Sequence, residues 1–423
     1  MDRRPRHSLA RIKEMGSKLV PARRHKPDYW ILILTFLLMT IGLVVVYSIS
    51  PGLAASQHIS QSYFISKQLI AVSLGVVAFI AAAYMPTSHL KNYAKPLALV
   101  ALAGCLIVMI TPINSAYPAH RWIRLGSFSF QVAELVKLSL IIWLASFLAQ
   151  RWKEQRLSDF NSTLKPLLFL LVAIGLVVAK FQSDLGSTGV MIAIMAAMAF
   201  IVGVPLKRIA TIGAFVLILL VLAISTSSYR RDRLTTYLHP ERNCQTTGYQ
   251  ECQALISVGS GGILGLGLGY SVQAYGYLPE ASNDSIFAII AEKFGFIGTF
   301  LIVSIYGAFI YRLKYVVERT QDQFNRLVVV GVMAWLGIQM IINIGAMTGL
   351  LPLKGITLPL ISQGGTSLIF LTAALGLVFQ ISRYTSYKVT EPENQNETPN
   401  NNSSDGGRLR GTYNSSLVTR PRT

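Results

Sequence analysis

The run YWILILTFLLMTIGLVVVYSI, residues 29 to 49, decides the class of fold. It carries no charged residue and matches the about 20 apolar residues that a helix needs to cross a bilayer. It is longer than the roughly 7 to 15 residues of a signal-peptide core, so it reads as a retained anchor. Outward from this first stretch, taken as 28 to 49, nine more qualify: 67 to 85, 96 to 113, 132 to 149, 166 to 180, 185 to 204, 209 to 227, 285 to 311, 327 to 350 and 358 to 381. The expectation is an all-α integral membrane protein, a polytopic bundle of about ten transmembrane helices. The membrane domain spans 28–385, between a basic segment 1–27 and a tail 386–423.

Composition agrees. The 423 residues are 52% hydrophobic and 13% charged, against about 25% charged in a soluble domain. The mean hydropathy is +0.48. A net charge of +19 would suggest nucleic acid in a soluble protein, but the position of the charges excludes that reading. Lys and Arg accumulate on the cytoplasmic side of membrane proteins. The termini and alternate loops hold 27 of the 38, and the opposite loops hold eight. Both termini are therefore expected in the cytoplasm, which an even number of spans satisfies.

The opposite face carries the loops 114–131 and 228–284, the second between helices 7 and 8. Loops this long usually have a function. The tail from Glu391 is polar and rich in Asn, Ser, Gly and Arg, which predicts disorder. No internal repeat is evident, which disfavours inverted-repeat transporters.

Ionisable groups at membrane depth are functional candidates by default. Glu134 and Lys137 stand three apart, close enough to pair on one helix face, either as a structural lock or in a substrate cavity. Glu292 and Lys293 are adjacent and point about 100° apart, so at least one is expected to pair with another span. Asp184 and Asp284 each precede a span and can cap it. Asp284 also follows the long outer loop, where partial desolvation can raise its pKa toward that of a general base.

The glycine-rich run 259–269 lacks the Gly-Lys-Ser/Thr ending and the preceding strand of a nucleotide loop. Its glycines suit close approach to the bundle or amide contact with an anionic head group. Gly364 and Gly365 allow the same, or close helix packing. Three cysteines exclude a disulfide scaffold. Cys105 reads as core, and the spacing of Cys244 and Cys252 permits a local disulfide without requiring one. The six scattered histidines give no metal-binding pattern.

Several segments closely resemble the SEDS proteins (shape, elongation, division, sporulation), polytopic peptidoglycan glycosyltransferases. The matching runs are Arg121 to Gln131 with Glu134 and Lys137, Gln182 to Gly186, Gly248-Tyr249-Gln250, Gly259 to Gly262, and Tyr277 to Ala281 with Asp284. They continue with Gly349 to Pro352 and Ile361-Ser362 to Gly364-Gly365-Thr366-Ser367. Lys26 to Trp30, Gly248 to Gln250, Ala281 and Ile381 to Tyr384 are most similar to the division branch, FtsW, rather than the elongation branch, RodA. Departures occur at Val132, Ala133, Ser183, Gln363, Asn283, Ser285 and Lys293, and they bear on local geometry and rate more than on the reaction.

The resemblance implies polymerisation of lipid II on the outer face of the inner membrane, at the division septum. Asp284 would be general base in an inverting transfer that releases undecaprenyl pyrophosphate. Arg121, Arg124, Glu134, Lys137, Asp184, Arg230, Arg233, Glu280, Ser362, Gly364 and Gly365 are the substrate-binding candidates. The outer arginines, Arg231 among them, either meet the pyrophosphate or anchor at lipid phosphates. A divalent cation, Mg or Mn, can share the pyrophosphate charge, with ligands unassigned. The implied partners are a cognate class B penicillin-binding protein and other divisome membrane proteins, with no nucleic acid. The rival functions are a lipid II translocase, with Glu134, Lys137 and Asp184 along the path and the long loop as gate, and a non-catalytic division scaffold.

Overall fold

The computed structural model describes residues 25–110, 121–125, 128–225, 231, 235–240, 244–246 and 248–385, with the backbone alone at 124–125 and 128 and at five positions between 219 and 224. The basic segment 1–24, the tail from 386, and the side chains of Arg124, Arg230 and Arg233 lie outside the described residues.

The helices are α1 Tyr29–Gln57, α2 Ser62–Tyr84, α3 Thr87–Ile110, α4 Val132–Lys153, α5 Phe160–Phe181, α6 Leu185–Val202, α7 Leu206–Ser225, α8 Tyr249–Ser260, α9 Ile286–Arg319, α10 Gln323–Met347 and α11 Gly365–Ser382. Among the described residues, nine are long and apolar enough to cross a membrane: α1 to α6 and α9 to α11. The remaining expected stretch, 209 to 227, falls in α7, a helix of 20 residues. Helices close every backbone hydrogen bond within one segment, which lipid demands because it offers no partners. A short hairpin precedes α4, with β1 (Trp122–Leu125) antiparallel to β2 (Phe128–Gln131) and Trp122 opposite Gln131.

Caps explain several boundaries. Asp28 accepts from the Trp30 amide at 3.1 Å and starts α1. Asp322 accepts from Asn325 N at 3.0 Å and starts α10. Asp159 caps the polar turn before Pro166, so the fifth span starts at Phe160, six residues earlier than its apolar run indicates. The tenth begins later than expected, at Gly365 instead of 358. Pro359 has no amide to donate, and the Leu358 amide is taken by Ser362 Oγ at 2.7 Å, so this stretch folds into a turn.

The bundle has a buried centre and a lipid-exposed rim. Helices α4 and α11 are buried along most of their length, whereas α2, α3 and α5 are buried along little of theirs. Exposed side chains such as Val77, Leu99 and Phe169 suit lipid contact. Helix α2 lies against α11 at Gly376, where a Cβ would stand 2.4 Å from the Phe79 carbonyl, so only glycine permits this approach. At the opposite end from the 244–284 segment, Arg312 Nε of α9 donates to Asp28 Oδ2 at 2.5 Å and the Asp28 amide donates to Ser382 Oγ at 2.9 Å. These two contacts join α1, α9 and α11.

Helix α9 is interrupted at Gly295, whose φ of 62° lies outside the helical range. The glycine run crosses this break. Leu266 N donates to Glu292 O at 2.8 Å, Gly267 N to Lys293 O at 3.0 Å, Phe296 N to Gly262 O at 2.9 Å and Ile297 N to Ile263 O at 3.2 Å. A Cβ at Gly261 would lie 1.9 Å from the Ala291 carbonyl, so the glycines here serve close packing. Glu292 and Lys293 correct the expectation of a pairing with another span, because both turn to this loop. Glu292 accepts from Ser271 Oγ, Val272 N and Gln273 N, and Lys293 Nζ donates to Leu268 O at 2.6 Å. The break lets the helix face the loop over a full turn.

Candidate active site

Asp284 sits at the corner before α9. Asn283 N and Ser285 N both donate to Glu280 O, at 2.9 and 3.2 Å, and fold residues 280–285 into a tight turn. Ser285, not Asp284, is the residue flanking α9, so the simple capping role does not apply here. Asp284 is 8% exposed, and among the described residues its Oδ1 has no hydrogen-bond partner. A Cβ at Gly355 would stand 3.4 Å from Oδ2, so the segment after α10 passes directly over the carboxylate.

Asn343 of α10 fixes that arrangement. Its Nδ2 donates to the backbone carbonyls of both Asp284 and Ile356, each at 2.7 Å. The result is a narrow, tightly closed cleft walled by Asp284, Asn343, Leu353, Lys354 and Gly355. Burial, and secondarily the negative charge of Glu280, push the Asp284 carboxyl up to about 7, while the backbone amides of Asp284 and Ser285 and the Gln250 side chain pull it back. A carboxylate so placed is half ionised near neutral pH, which suits a general base.

A second cleft of about 20 Å³ lies on the other side of the 354–357 segment and shares Gly355 and Ile356 with the first. Glu134 and Lys137 form its floor, paired at 2.8 Å and almost fully buried. Lys137 Nζ also donates to Gln339 Oε1 at 3.1 Å, and Gln339 Nε2 donates to Thr357 O at 3.1 Å. Trp335 Nε1 donates to the same Gln339 oxygen at 2.8 Å, and its ring lies under the ammonium at 5.1 Å. Glu134 Oε2 has no hydrogen-bond partner among the described residues. The pair is thus clamped to the segment that covers Asp284.

Asp184 does cap its helix: Oδ1 accepts from Ser187 N at 2.9 Å. Arg121 is engaged by the turn before it, where its guanidinium donates to the Gln182 and Ser183 carbonyls. It therefore shapes the Asp184 turn. Gly186 packs against Ile356 and the Lys354 carbonyl, which brings the Asp184 corner to the same segment. Glu280 is exposed and bonded to Asn283. Ser362 holds the turn before α11, Gly364 lies close to Thr357 with room for little else, and Gly365 faces open space. Arg231 is exposed. Cys244 and Cys252 are joined by a disulfide.

Among the described residues, no group of three or more His, Cys, Asp or Glu side chains stands together, so the carboxylates present do not form a cage for the Mg or Mn considered above. Gln339 and Asn343 are the site residues that sequence reasoning missed. They are four apart in an apolar stretch, hence on one helix face, and a search for polar as well as ionisable groups in the spans would have found them.

The sequence model of the cell cycle protein family FtsW/RodA/SpoVE matches residues 29–387. The chain belongs to this family, the SEDS proteins. It is 34% identical to the stage V sporulation protein E of Bacillus subtilis over 366 residues, 86% of this chain and 99% of that protein. It is 36% identical to the probable peptidoglycan glycosyltransferase FtsW of Saccharophagus degradans over 350 residues, 82% of this chain and 90% of the relative. Among solved structures, a chain from a peptidoglycan synthase complex that coordinates polymerization and crosslinking superposes with a TM-score of 0.68 at 27% identity, covering 85% of this chain and 99% of that one. The expected SEDS membership and polytopic all-α membrane fold are borne out, and the chain is a multi-pass membrane protein.

Proposed function

We propose that this SEDS protein polymerises lipid II into glycan strands, with Asp284 as the general base. One observation carries the reading: a buried carboxylate with a free oxygen, titrating at about 7, at the mouth of a membrane bundle. A scaffold needs no such group, and a transport path would place it along the spans instead of at their end. The names of the FtsW relatives and of the synthase complex point the same way.

In the proposed step, the ionised Asp284 takes the proton from the 4-hydroxyl of an acceptor N-acetylglucosamine. That oxygen forms a bond to C1 of the donor N-acetylmuramic acid while the C1–oxygen bond to the pyrophosphate breaks on the opposite face. Configuration at C1 inverts, and undecaprenyl pyrophosphate leaves with the electron pair. Asn343 and the 354–357 segment hold the Asp284 corner through its backbone, and the apolar rim of the bundle takes the polyprenyl tail. Lys354 also lines this cleft.

The reaction belongs to the outer face of the bacterial inner membrane, at the septum, with both termini cytoplasmic and a class B penicillin-binding protein docked alongside to cross-link the product. The charge distribution along the loops supports that orientation. The experiment is polymerisation of labelled lipid II by the purified protein, with and without that partner. Asp284→Ala should lower the rate by at least about 100-fold. Wild-type polymer formation by the variant would overturn the role of Asp284. Polymer made in detergent, where no second compartment exists, separates polymerase from translocase.

A further inference from the structure

The disulfide and helix α8 have no part in the mechanism above, yet both converge on the Asp284 corner. Three contacts fasten α8 along α9. Gln250 Nε2 donates to Ser285 Oγ at 3.0 Å, Ser257 Oγ donates to Ala288 O at 3.0 Å, and Gly261 lies flush against Ala291. The first stands one residue from Asp284, which brings the Gln250 amide near enough to oppose the upward shift that burial gives the Asp284 carboxyl. The Cys244–Cys252 bond closes an eight-residue span around Gln250, with its Cα atoms 5.5 Å apart, and Cys252 is buried in the first turn of α8. Such a crosslink restricts the conformations open to the segment that carries the glutamine.

We infer that Gln250 is a positioning residue for Asp284 and that the Cys244–Cys252 disulfide holds it in place, so that polymerisation depends on the redox state of this outer crosslink. The inference rests on the proposed role of Asp284. Gln250 acts through the carboxylate: its amide favours the charged, proton-accepting form. Among the described residues, the charged groups at Asp284 are Glu280 on its own turn and Lys354 on the segment after α10, and α8, α9 and α10 contribute the neutral Gln250, Ser285 and Asn343. Reduction by a dithiol reagent supplies two electrons and two protons, gives the two cysteine thiols and leaves the reagent as a cyclic disulfide. The first turn of α8 then loses its tether.

The test follows the rate of lipid II polymerisation against pH for the full chain, with the disulfide verified by thiol alkylation. Gln250→Met should slow the reaction by about two- to sevenfold at pH 7, the effect of one lost hydrogen bond on a group half ionised there, and recover toward the wild-type rate as pH rises. Cys244→Ser with Cys252→Ser, or treatment with dithiothreitol, should shift the profile the same way, and neither should add to Gln250→Met. Gln250→Asn, one methylene too short to reach, should reproduce the shift and replaces Gln250→Met if that variant does not fold. A uniform loss at every pH, or an unmoved midpoint, overturns the role of Gln250. A wild-type profile for the reduced protein overturns the role of the disulfide. Asp284→Asn run alongside separates the two levels: an active Asp284→Asn sinks the general-base reading itself, whereas an inactive one with an unshifted Gln250→Met sinks this inference alone.

Discussion

Replacement of Asn343 by leucine tests how the site is held. Leucine keeps the branched outline of asparagine and is larger, so the change removes hydrogen bonds without opening a cavity and adds some crowding at this buried position. Both lost bonds are short, at 2.7 Å, and the carbonyls they serve belong to Asp284 and Ile356, on opposite walls of one cleft. A buried acceptor stripped of its donor costs about 1–3 kcal/mol, so two give roughly 2–6 kcal/mol. The unpaired Asn343 Oδ1 is removed at the same time, which returns part of that and places the net destabilisation near 2–4 kcal/mol. Catalysis should suffer more than lipid II binding, because the Asp284 corner is freed from the 354–357 segment and a displacement of about 1 Å can cost 100-fold. The assay pairs thermal unfolding in detergent with polymerisation kinetics over a range of lipid II concentrations. The expected result is a lowered melting temperature, kcat reduced by about 10- to 100-fold and KM nearly unchanged. A variant with wild-type stability and wild-type kcat would refute the reasoning that Asn343 is the brace of this site.

Other outcomes follow from the same geometry. The rate should climb with pH through about 7 and level off as Asp284 becomes ionised, and a pH-independent rate between 5 and 9 would contradict this. Stability runs the opposite way. The folded carboxyl keeps its proton between the ordinary aspartate value of about 4 and about 7, so the native state binds more protons there and loses stability as pH rises through that window. Asp284→Asn should therefore unfold at higher temperature than wild type at pH 8, by up to about 4 kcal/mol, with a smaller difference at pH 4. Glu280→Gln removes the like charge beside Asp284 and should move the midpoint of the rate profile downward, an effect read directly from the pH–rate curve. Lys137→Met strands Glu134 in the bundle at a cost of about 3–5 kcal/mol, seen as loss of folded protein on size exclusion, and Glu134→Gln in the same chain should restore most of it.

Most of the fold was legible because the bilayer imposes one rule on every span. Continuous apolar runs give the helices, and Asp28 and Asp322 mark the starts of α1 and α10 through their caps. The ends less easily read are those where a side chain takes a backbone partner away from the helix, as Ser362 does at Leu358. Asp284 and the Glu134–Lys137 pair stood out because charge is rare at such positions. Gln339 and Asn343 did not, although they join these groups to the 354–357 segment. An amide is neutral, and its importance here comes from the two carbonyls it finds in the folded chain, which no spacing reveals. The partners of Glu292 and Lys293 were hidden for a similar reason: only the break at Gly295 exposes their helix face to the loop.

That break also limits how the outer segment can move. About three turns into α9, the backbone groups that an unbroken helix would satisfy are paired instead with residues 262–267 of the glycine run. Lipid offers no substitute, and each group left bare there costs several kcal/mol. If the glycine run swung aside, four hydrogen bonds would be lost together and the Lys293 ammonium would lose the Leu268 carbonyl. The run is thus a plug sealed into the bundle and is not free to act as a lid over the site.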